Sequence, residues 1–484
     1  MVDVVAVLVA LGLLIFFAYR GVTLVLLAPA MALLAVLLTG DLPILAAYTQ
    51  VFMTKTGDFI VAFFPLFMLG AIFGKLMDDS GSAKSIARSV SAWLGPERSI
   101  VSVVLVCGVL TYGGVSAFVV AFAVFPVAAA LFRSADIPKR LIPGTLALGA
   151  FTFTMSALPG TPAIQNAIPM PFFGTTAFSA PGLGVIASAI MFLLGIGWLN
   201  RRAASARSAG EGYGEHADQV LTPDVVMREH AQGRGFDIAE LPEHPPEPEN
   251  LPSFTLALAP VIVVILANFT FIELIVPLLD TSYLVEPRFG ETTIESVRGV
   301  WAVIVGLTLA ILLLIAGNWN RMSDLRASLD QGTDASVLPI FNTASLVGFG
   351  AVIAALPVFD LISEGVLAVS GGQPLVSVAA AVTVLSAITG SASGGMSIAL
   401  DSLGGTFVDL ANAAGVSLEA MHRVTAVASG ALDALPHNGA VITLLAVCGI
   451  SHREAYIDVF MVALVGQLVS LMAIILLAML FGSF

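Results

Sequence analysis

The chain has 484 residues, of which 58% are hydrophobic and 11% are charged, and its mean hydropathy is +0.98. These values exclude a soluble globular domain and indicate an all-α polytopic membrane protein, because runs of about 20 apolar residues, enough to cross roughly 30 Å of hydrocarbon, recur along the sequence. The formal net charge of −13 says little about function, since much of it falls in the hydrophilic stretch 201–252.

Ten apolar stretches are predicted to span the membrane. Their approximate bounds are 2–19, 21–39, 58–77, 141–173 (broken), 181–199, 253–278, 299–317, 338–356, 420–448 (broken) and 454–482. The first run contains Asp3 in place of a basic segment and lacks a small-x-small cleavage site, which favours a retained span over a signal peptide. Cys107 and Cys448 lie in apolar helical context, so we predict small buried residues with no disulfide and no metal role.

Basic residues segregate to alternate loops, and this sets the predicted orientation. One set is Lys84, Arg88, Arg98, Arg133, Lys139, Arg140, Arg201, Arg202, Arg321, Arg326 and Arg453. The positive-inside rule places these residues in the cytoplasm if the N-terminus is periplasmic. The opposite loops then contain Lys55, Arg288, Arg298 and Arg423.

Two segments are predicted to be re-entrant helical hairpins. The segment at about 100–133 is too long for one span, has Gly113-Gly114 near its middle and carries basic residues at both ends, so it enters from and returns to the cytoplasm. Its counterpart at about 374–410 has a tip at 390–395 and no Lys or Arg at either flank, which favours entry from outside.

Two helix interruptions repeat at a fixed interval. Residues 156–164 align without gaps on 433–441, and Gly113–Ser116 aligns on Gly390–Ser393, both at an offset of 277. Pro and Gly free backbone groups that lipid cannot satisfy, so such breaks survive where they line a cavity, and paired breaks point to a transporter site. With about five spans and one hairpin per half, the second half runs in reverse. We therefore predict two inverted-topology repeats, 1–200 and 253–484, each with a hairpin and a broken helix.

The stretch 201–252 is predicted to be a disordered cytoplasmic linker between these repeats. It is rich in Glu and Pro, a composition that buries too little apolar area to fold. His216, His230 and His244 lie in it, but their wide and irregular spacing does not fit a metal site. No metal and no cofactor are expected.

The second break contains the strongest candidates for proton coupling. Asp433 and His437 lie four residues apart at membrane depth, where an ionisable group is costly, and a His beside an Asp can bind and release a proton near neutral pH. The alternative is an Asp that caps the broken helix and a His that packs with a satisfied ring.

Small and polar residues at both breaks and both hairpin tips are predicted to bind substrate. The predicted set is Gly113, Gly114, Ser116, Thr161, Gln165, Asn166, Gly390, Ser391, Ser393, Gly394, His437 and Asn438. Half-helix N-termini carry partial positive charge, so a carboxylate can bind there without a buried Lys or Arg. No lysine follows Lys139 and no arginine lies within either break, which agrees with that mode of binding.

The sequence lacks the motifs of ATP-driven transporters and of nucleic-acid-binding proteins. No Gly-rich loop ends in Lys-Ser/Thr, so ATP-driven transport by this chain is not expected, and no basic patch interleaved with aromatics indicates nucleic acid.

Three motifs resemble one family of bacterial permeases. At 348–350, 390–395 and 433–439 the sequence resembles the gluconate:proton symporter family, and the resemblance covers nearly the whole chain. The resemblance implies membership of the ion transporter superfamily, a fold of inverted repeats with paired hairpins, and a homodimer. It also implies a proton-coupled transporter of the inner membrane. The substrates that it implies are small substituted monocarboxylates such as gluconate, D-serine or 3-hydroxybutyrate. The run 452–456 looks most like the hydroxybutyrate-type branch.

The sequence thus predicts a proton-coupled symporter of a small organic monocarboxylate in the bacterial inner membrane, and not an enzyme. Three alternatives stay open at this point. They are sodium coupling on the same scaffold, a membrane-embedded enzyme that uses Asp433 and His437 as an acid/base pair, and a channel.

Overall fold

A computed structural model describes residues 2–20, 22–214, 250–322, 324–359, 371–436 and 438–484, and these residues form helices and connecting turns without strands. In chain order the helices are α1 (Val2–Tyr19), α2 (Leu24–Thr39), α3 (Ile44–Asp79), α4 (Ser82–Leu94), α5 (Ser99–Tyr112), α6 (Ala117–Ser134), α7 (Ile142–Ala150), α8 (Phe153–Ser156), α9 (Ile164–Ala167), α10 (Pro169–Phe173), α11 (Pro181–Ser208), α12 (Phe254–Leu278), α13 (Ile294–Asn318), α14 (Leu325–Ala354), α15 (Pro374–Thr389), α16 (Ala392–Ala414), α17 (Leu418–Gly430), α18 (Gly439–Cys448) and α19 (His452–Phe481).

The helices account for the predicted spans, and six of those described are long and apolar enough to cross a bilayer. These six are α3, α11, α12, α13, α14 and α19. The fold is therefore that of an all-α, multi-pass membrane protein, as predicted.

Two helices begin well before the predicted spans. Helix α3 begins at Ile44 where the sequence predicted 58, and α14 begins at Leu325 where it predicted 338. Polar side chains lower the local hydropathy in both extensions. Lys55 forms an ion pair with Asp401 (Nζ to Oδ1, 3.4 Å), so Lys55 belongs to a helix and not to the external loop that was predicted.

Helix α11 also extends past its predicted end at 199, because the Ala- and Arg-rich stretch after the span continues the helix to Ser208. The first residues of the predicted linker are thus helical. Beyond Ser208, Glu211 pairs with Arg140 and the Tyr213 N–H donates to Asp136, so the predicted start of a disordered linker at 201 is wrong. Residues 215–249 lie outside the described residues, and the linker prediction is untested there.

Both predicted hairpins are pairs of packed helices. Helices α5 and α6 are joined by Gly113–Ser116, and α15 and α16 are joined by Gly390 and Ser391. The arms of the second hairpin approach so closely that a Cβ on Gly395 would overlap the backbone of Ser386. From which side each hairpin enters the membrane stays a prediction.

Irregular backbone interrupts the chain at both predicted breaks. Residues 157–163 separate α8 from α9, and 431–438 separate α17 from α18, with His437 outside the described residues. Shifted by 277 positions, α5, α7 and α9 fall on α15, α17 and α18. The inverted orientation of the two halves stays a prediction.

Buried apolar side chains form two clusters that meet along α14. The larger cluster contains the hairpins, the broken helices, α11 and α19, and the smaller one contains α1, α2 and the adjoining parts of α3 and α14. Ile340 and Ala344 of α14 belong to the larger cluster, whereas Leu346 and Phe349 belong to the smaller one. Helix α14 therefore contributes side chains to both clusters.

Candidate functional site

A cavity of about 240 Å³ lies where both hairpin tips, the first break and α14 meet. Its polar lining residues are Thr111, Ser116, Gln165, Ser336, Asn342, Thr343, Ser391 and Ser393. The remaining lining residues are apolar or glycine, and among the residues that the structure describes no Lys, Arg, His, Asp or Glu lines the cavity. The site is thus polar without being formally charged.

The N-termini of three helices border this cavity. Ser116 precedes α6, Ser391 precedes α16 and its Oγ accepts a hydrogen bond from the Gly394 N–H at 3.1 Å, and Leu24 opens α2. The first backbone N–H groups of a helix lack intrahelical acceptors and carry the positive end of the helix dipole. These positive ends favour an anion near Ser116 and Ser391, whereas Asn342 already caps α2 and the last turn of α5 at Thr111 contributes the opposite sign.

The first hairpin tip contacts the first break through a glycine. Gly114 has a φ of +97°, which side chains rarely adopt, and a Cβ there would lie 3.0 Å from Cγ of Pro162. Both residues line the cavity. Glycine at this position therefore allows the tip to turn and the break to approach it.

The structure places five of the predicted substrate residues on the cavity. They are Gly114, Ser116, Gln165, Ser391 and Ser393. Six others lie at the tips and breaks but do not line it, namely Gly113, Thr161, Asn166, Gly390, Gly394 and Asn438. His437 lies outside the described residues.

Asn166 is fully buried, and its amide is occupied within the fold. Its Nδ2 donates to the carbonyl oxygens of Thr161 and Ala177, both at 3.0 Å. Its Oδ1 lies 3.1 Å from Nε2 of His422 and accepts from Nη1 of Arg423 at 3.0 Å. Asn166 therefore anchors the first break rather than facing the cavity.

Arg423 and His422, on α17, support the first break from behind. Arg423 is 0% exposed, and its guanidinium donates to Asn166 and to the carbonyl oxygens of Ser156, Ala177 and Ser179. Among the described residues no carboxylate lies within ion-pair distance of it. The predicted position of Arg423 in an external loop is therefore wrong. The sequence signal was its place in the apolar run 420–448, where a charge needs a buried partner.

Asp433 in the second break is linked to the second hairpin tip through Asn438. The Nδ2 of Asn438 donates to Asp433 Oδ1 at 2.9 Å and to the Gly390 carbonyl at 2.8 Å, and its Oδ1 accepts from the Ala440 N–H at 2.6 Å. Asp433 does not line the cavity. It also accepts a hydrogen bond from the backbone N–H of Ala392, so it contacts the tip directly as well as through Asn438.

The fold and the cavity define the class as a membrane transporter, and a solved structure supports the fold. The crystal structure of the Alcanivorax borkumensis YdaH transporter, described as having an unusual topology, matches with a TM-score of 0.56 and 14% identity, covering 89% of this chain and 88% of that chain. At this identity the likeness shows the fold alone.

A sequence relative shows the family. The chain is 43% identical over 475 residues to the Bacillus subtilis (strain 168) protein named "Uncharacterized transporter YxjC", and the match covers 96% of each chain. The chain belongs to the family of that transporter. No protein-family model matches the chain. The names of these two proteins do not mention gluconate, so the resemblance to the gluconate:proton symporter family stays a prediction.

Proposed function

We propose that the protein is a secondary active transporter that symports a small organic monocarboxylate, of the gluconate or 3-hydroxybutyrate type, with protons across the bacterial inner membrane. The cavity between the hairpin tips is the observation that carries this proposal. Three helix N-termini and several hydroxyl and amide groups border it, and none of its described lining residues is charged. Such a site can hold one anionic group without a paired cation.

Size and polarity restrict the substrate class further. The volume of about 240 Å³ lies below the roughly 300–1,000 Å³ typical of sites for drug-sized ligands, which supports a small solute. Leu66, Phe67 and Met155 contribute apolar surface to the lining, so a short carbon chain fits beside the polar groups. A monocarboxylate of a few carbons has both features.

Proton coupling is assigned to the second break. Asp433 accepts a hydrogen bond from Asn438, and the same amide holds the carbonyl of Gly390 at the hairpin tip. Protonation of the Asp433 carboxylate weakens it as an acceptor for both Asn438 and the Ala392 N–H, so the proton and the position of the tip are linked through these two hydrogen bonds. His437, four residues away in sequence, is proposed as the second proton-binding group.

Orientation and assembly complete the proposal. The segregation of basic residues supports a periplasmic N-terminus, and the family resemblance implies a homodimer. Transport rather than catalysis is proposed because both similar proteins are named as transporters.

Uptake by purified protein in proteoliposomes tests the proposal. An inward proton gradient should drive accumulation of at least one acid from gluconate, 3-hydroxybutyrate, D-serine and lactate, and a protonophore should abolish it. Accumulation driven by a sodium gradient without a pH gradient would instead establish sodium coupling. Product formed in detergent would favour an enzyme, and non-saturable equilibration without accumulation would favour a channel.

Variants of the proposed proton-binding groups sharpen the test. His437→Ala should abolish gradient-driven accumulation while the protein still inserts. Asp409→Asn is the control for acidic residues, because Asp409 is exposed near the end of α16 and lies outside the cavity lining. Wild-type rates of proton-driven uptake in His437→Ala would contradict its assignment.

A further inference from the structure

Two buried groups that line the cavity lack hydrogen-bond partners among the residues that the structure describes. They are Nδ2 of Asn342 on α14, a residue 1% exposed, and Oγ1 of Thr111 near the end of α5, a residue 3% exposed. A buried polar group loses its hydration and recovers the lost hydrogen bonds only through a partner, so an unpartnered group beside a cavity is a position that a ligand or a water can complete.

The orientation of the Asn342 amide follows from its other contacts. Its Oδ1 accepts from the backbone N–H of Val25 at 3.1 Å and from Oγ1 of Thr23 at 3.3 Å. A backbone N–H can only donate, so the oxygen must face Val25 and the NH2 group must occupy the opposite side of the amide. Asn342 thus caps the start of α2 with its oxygen, and its two N–H donors have no partner among the described residues, in a side chain that belongs to the cavity lining.

Helix dipoles separate Thr111 from the positions that favour a carboxylate. Thr111 lies in the last turn of α5, where the dipole is negative, whereas Ser116 and Ser391 precede helix N-termini, where it is positive. A carboxylate is therefore favoured at the two serines. Beside Thr111 an uncharged oxygen is favoured, and Asn342, whose oxygen already caps the positive end of α2, can donate to such an oxygen.

We propose that Asn342 and Thr111 together bind a hydroxyl or carbonyl oxygen of the transported acid, separate from its carboxylate, and so determine substrate specificity. This inference rests on the proposed function and assigns the residues that read the substituent. A hydroxyl or a keto oxygen can accept from the Asn342 N–H. An ammonium group has donors only, so it would meet the amide donors without an acceptor, and an unsubstituted chain would leave both groups unpaired.

A set of four-carbon acids tests the assignment by competition for binding to the purified full-length protein. The set is 3-hydroxybutyrate, acetoacetate, butyrate and 3-aminobutyrate. The wild type should bind the two oxygen-substituted acids about tenfold or more tightly than the other two, because sites built to hydrogen-bond a substituent discriminate against analogues that lack it.

Two substitutions test each member of the pair separately. Thr111→Val keeps the shape and removes the hydroxyl, and it should weaken binding of 3-hydroxybutyrate about 2- to 12-fold with little change for butyrate. Asn342→Asp keeps an oxygen for the Val25 N–H and replaces the donor with an acceptor. It should lose the preference for 3-hydroxybutyrate over 3-aminobutyrate altogether.

Asn268→Asp is the matched control. Asn268 is 0% exposed and its amide atoms also lack partners among the described residues, but it does not line the cavity. This variant should keep the wild-type ratio of affinities. If Thr111→Val and Asn342→Asp also keep that ratio, or if the wild type binds butyrate as well as 3-hydroxybutyrate, the inference is refuted while the proposed function stands. A wild type that binds and transports no monocarboxylate refutes the proposed function itself.

Discussion

Replacing Arg423 with Met should destabilise the protein, because the guanidinium supplies partners for carbonyl groups that have few others. Its Nε and Nη2 donate to the Ser179 carbonyl at 3.1 and 2.8 Å, and its Nη1 donates to the Ser156 carbonyl at 3.5 Å. No other hydrogen bond to these two oxygens is found among the described residues. Met has a similar length and no donors, so the substitution isolates the hydrogen bonds.

The expected magnitude follows from the acceptors left behind. The Ala177 carbonyl keeps the Gly160 N–H at 2.8 Å, and Asn166 Oδ1 keeps its contact with His422, so two acceptors lose their donors. Each unsatisfied buried acceptor costs about 1–3 kcal/mol. The variant no longer buries a cation, which offsets part of this sum. We expect a net loss of about 2–4 kcal/mol in the free energy of unfolding.

Equilibrium unfolding of the purified protein in mixed micelles measures this loss. Arg298→Met is the matched control, because Arg298 donates one hydrogen bond of 3.3 Å to the Gly174 carbonyl. This substitution should lower the free energy of unfolding by about 1 kcal/mol. An Arg423→Met variant within about 0.5 kcal/mol of the wild type, or no less stable than the control, would refute the reasoning.

Three further predictions test the hairpin, the second break and the loop that follows α11. Gly395→Ala should lower the free energy of unfolding by about 1–3 kcal/mol, because the added Cβ would meet the opposing arm of the hairpin. The control is Gly405→Ala on the same helix, where a Cβ would meet nothing within 4 Å, so that variant should be neutral or stabilising. Equal melting temperatures of the two variants would contradict this prediction. Asp433→Asn should uncouple uptake from the pH gradient, measured as loss of accumulation with exchange retained. Hydrogen bonds from Arg140 lower the pKa of Glu211, so this pair stabilises the fold above the ordinary pKa of 4.5, and the stabilisation is lost as the pH falls through the lowered pKa. The carboxylate is 41% exposed, so Glu211→Gln should cost less than about 1 kcal/mol at pH 7. The cost should be smaller at pH 3 than at pH 7, as equilibrium unfolding at both pH values would show.

Local chemistry was sufficient to predict the interruptions. Gly113-Gly114, Gly390 and the Pro-containing motifs around Pro159 and Pro436 break helices by removing a Cβ or a backbone donor, and these effects act within a few residues. The structure places helix ends at all of these positions. A signal that depends on neighbours in sequence can be recognised in a single sequence.

Contacts between distant segments could not be predicted in the same way. Arg423 and Asn166 are 257 residues apart, and nothing in either local sequence specifies the other as a partner. Polar residues also lower the mean hydropathy of a segment even when they are paired in the fold. For this reason the start of α3 around Lys55 was assigned to a loop. The same averaging missed α4, whose buried Ile86 and Ala87 alternate with basic residues along one short helix.

The role of Asn342 depends on tertiary structure. The sequence shows only a polar side chain in an apolar run, whereas the capping contact with Val25 and the unpartnered amide nitrogen both depend on how α2 packs against α14. One side chain can both accept and donate, because an amide carries an acceptor oxygen and a donor NH2 group. Tertiary structure was needed to separate them.

The contact between Arg423 and the Ser179 carbonyl spans 244 residues, and this separation has a consequence for biogenesis. At a ribosomal speed of about 5–20 residues per second, the first half waits roughly 12–50 s in the bilayer before the cation that satisfies its interrupted segment is synthesised. During that interval its carbonyl groups must be hydrated or held by the insertion machinery. Completion of the first half is thus a late event in translation.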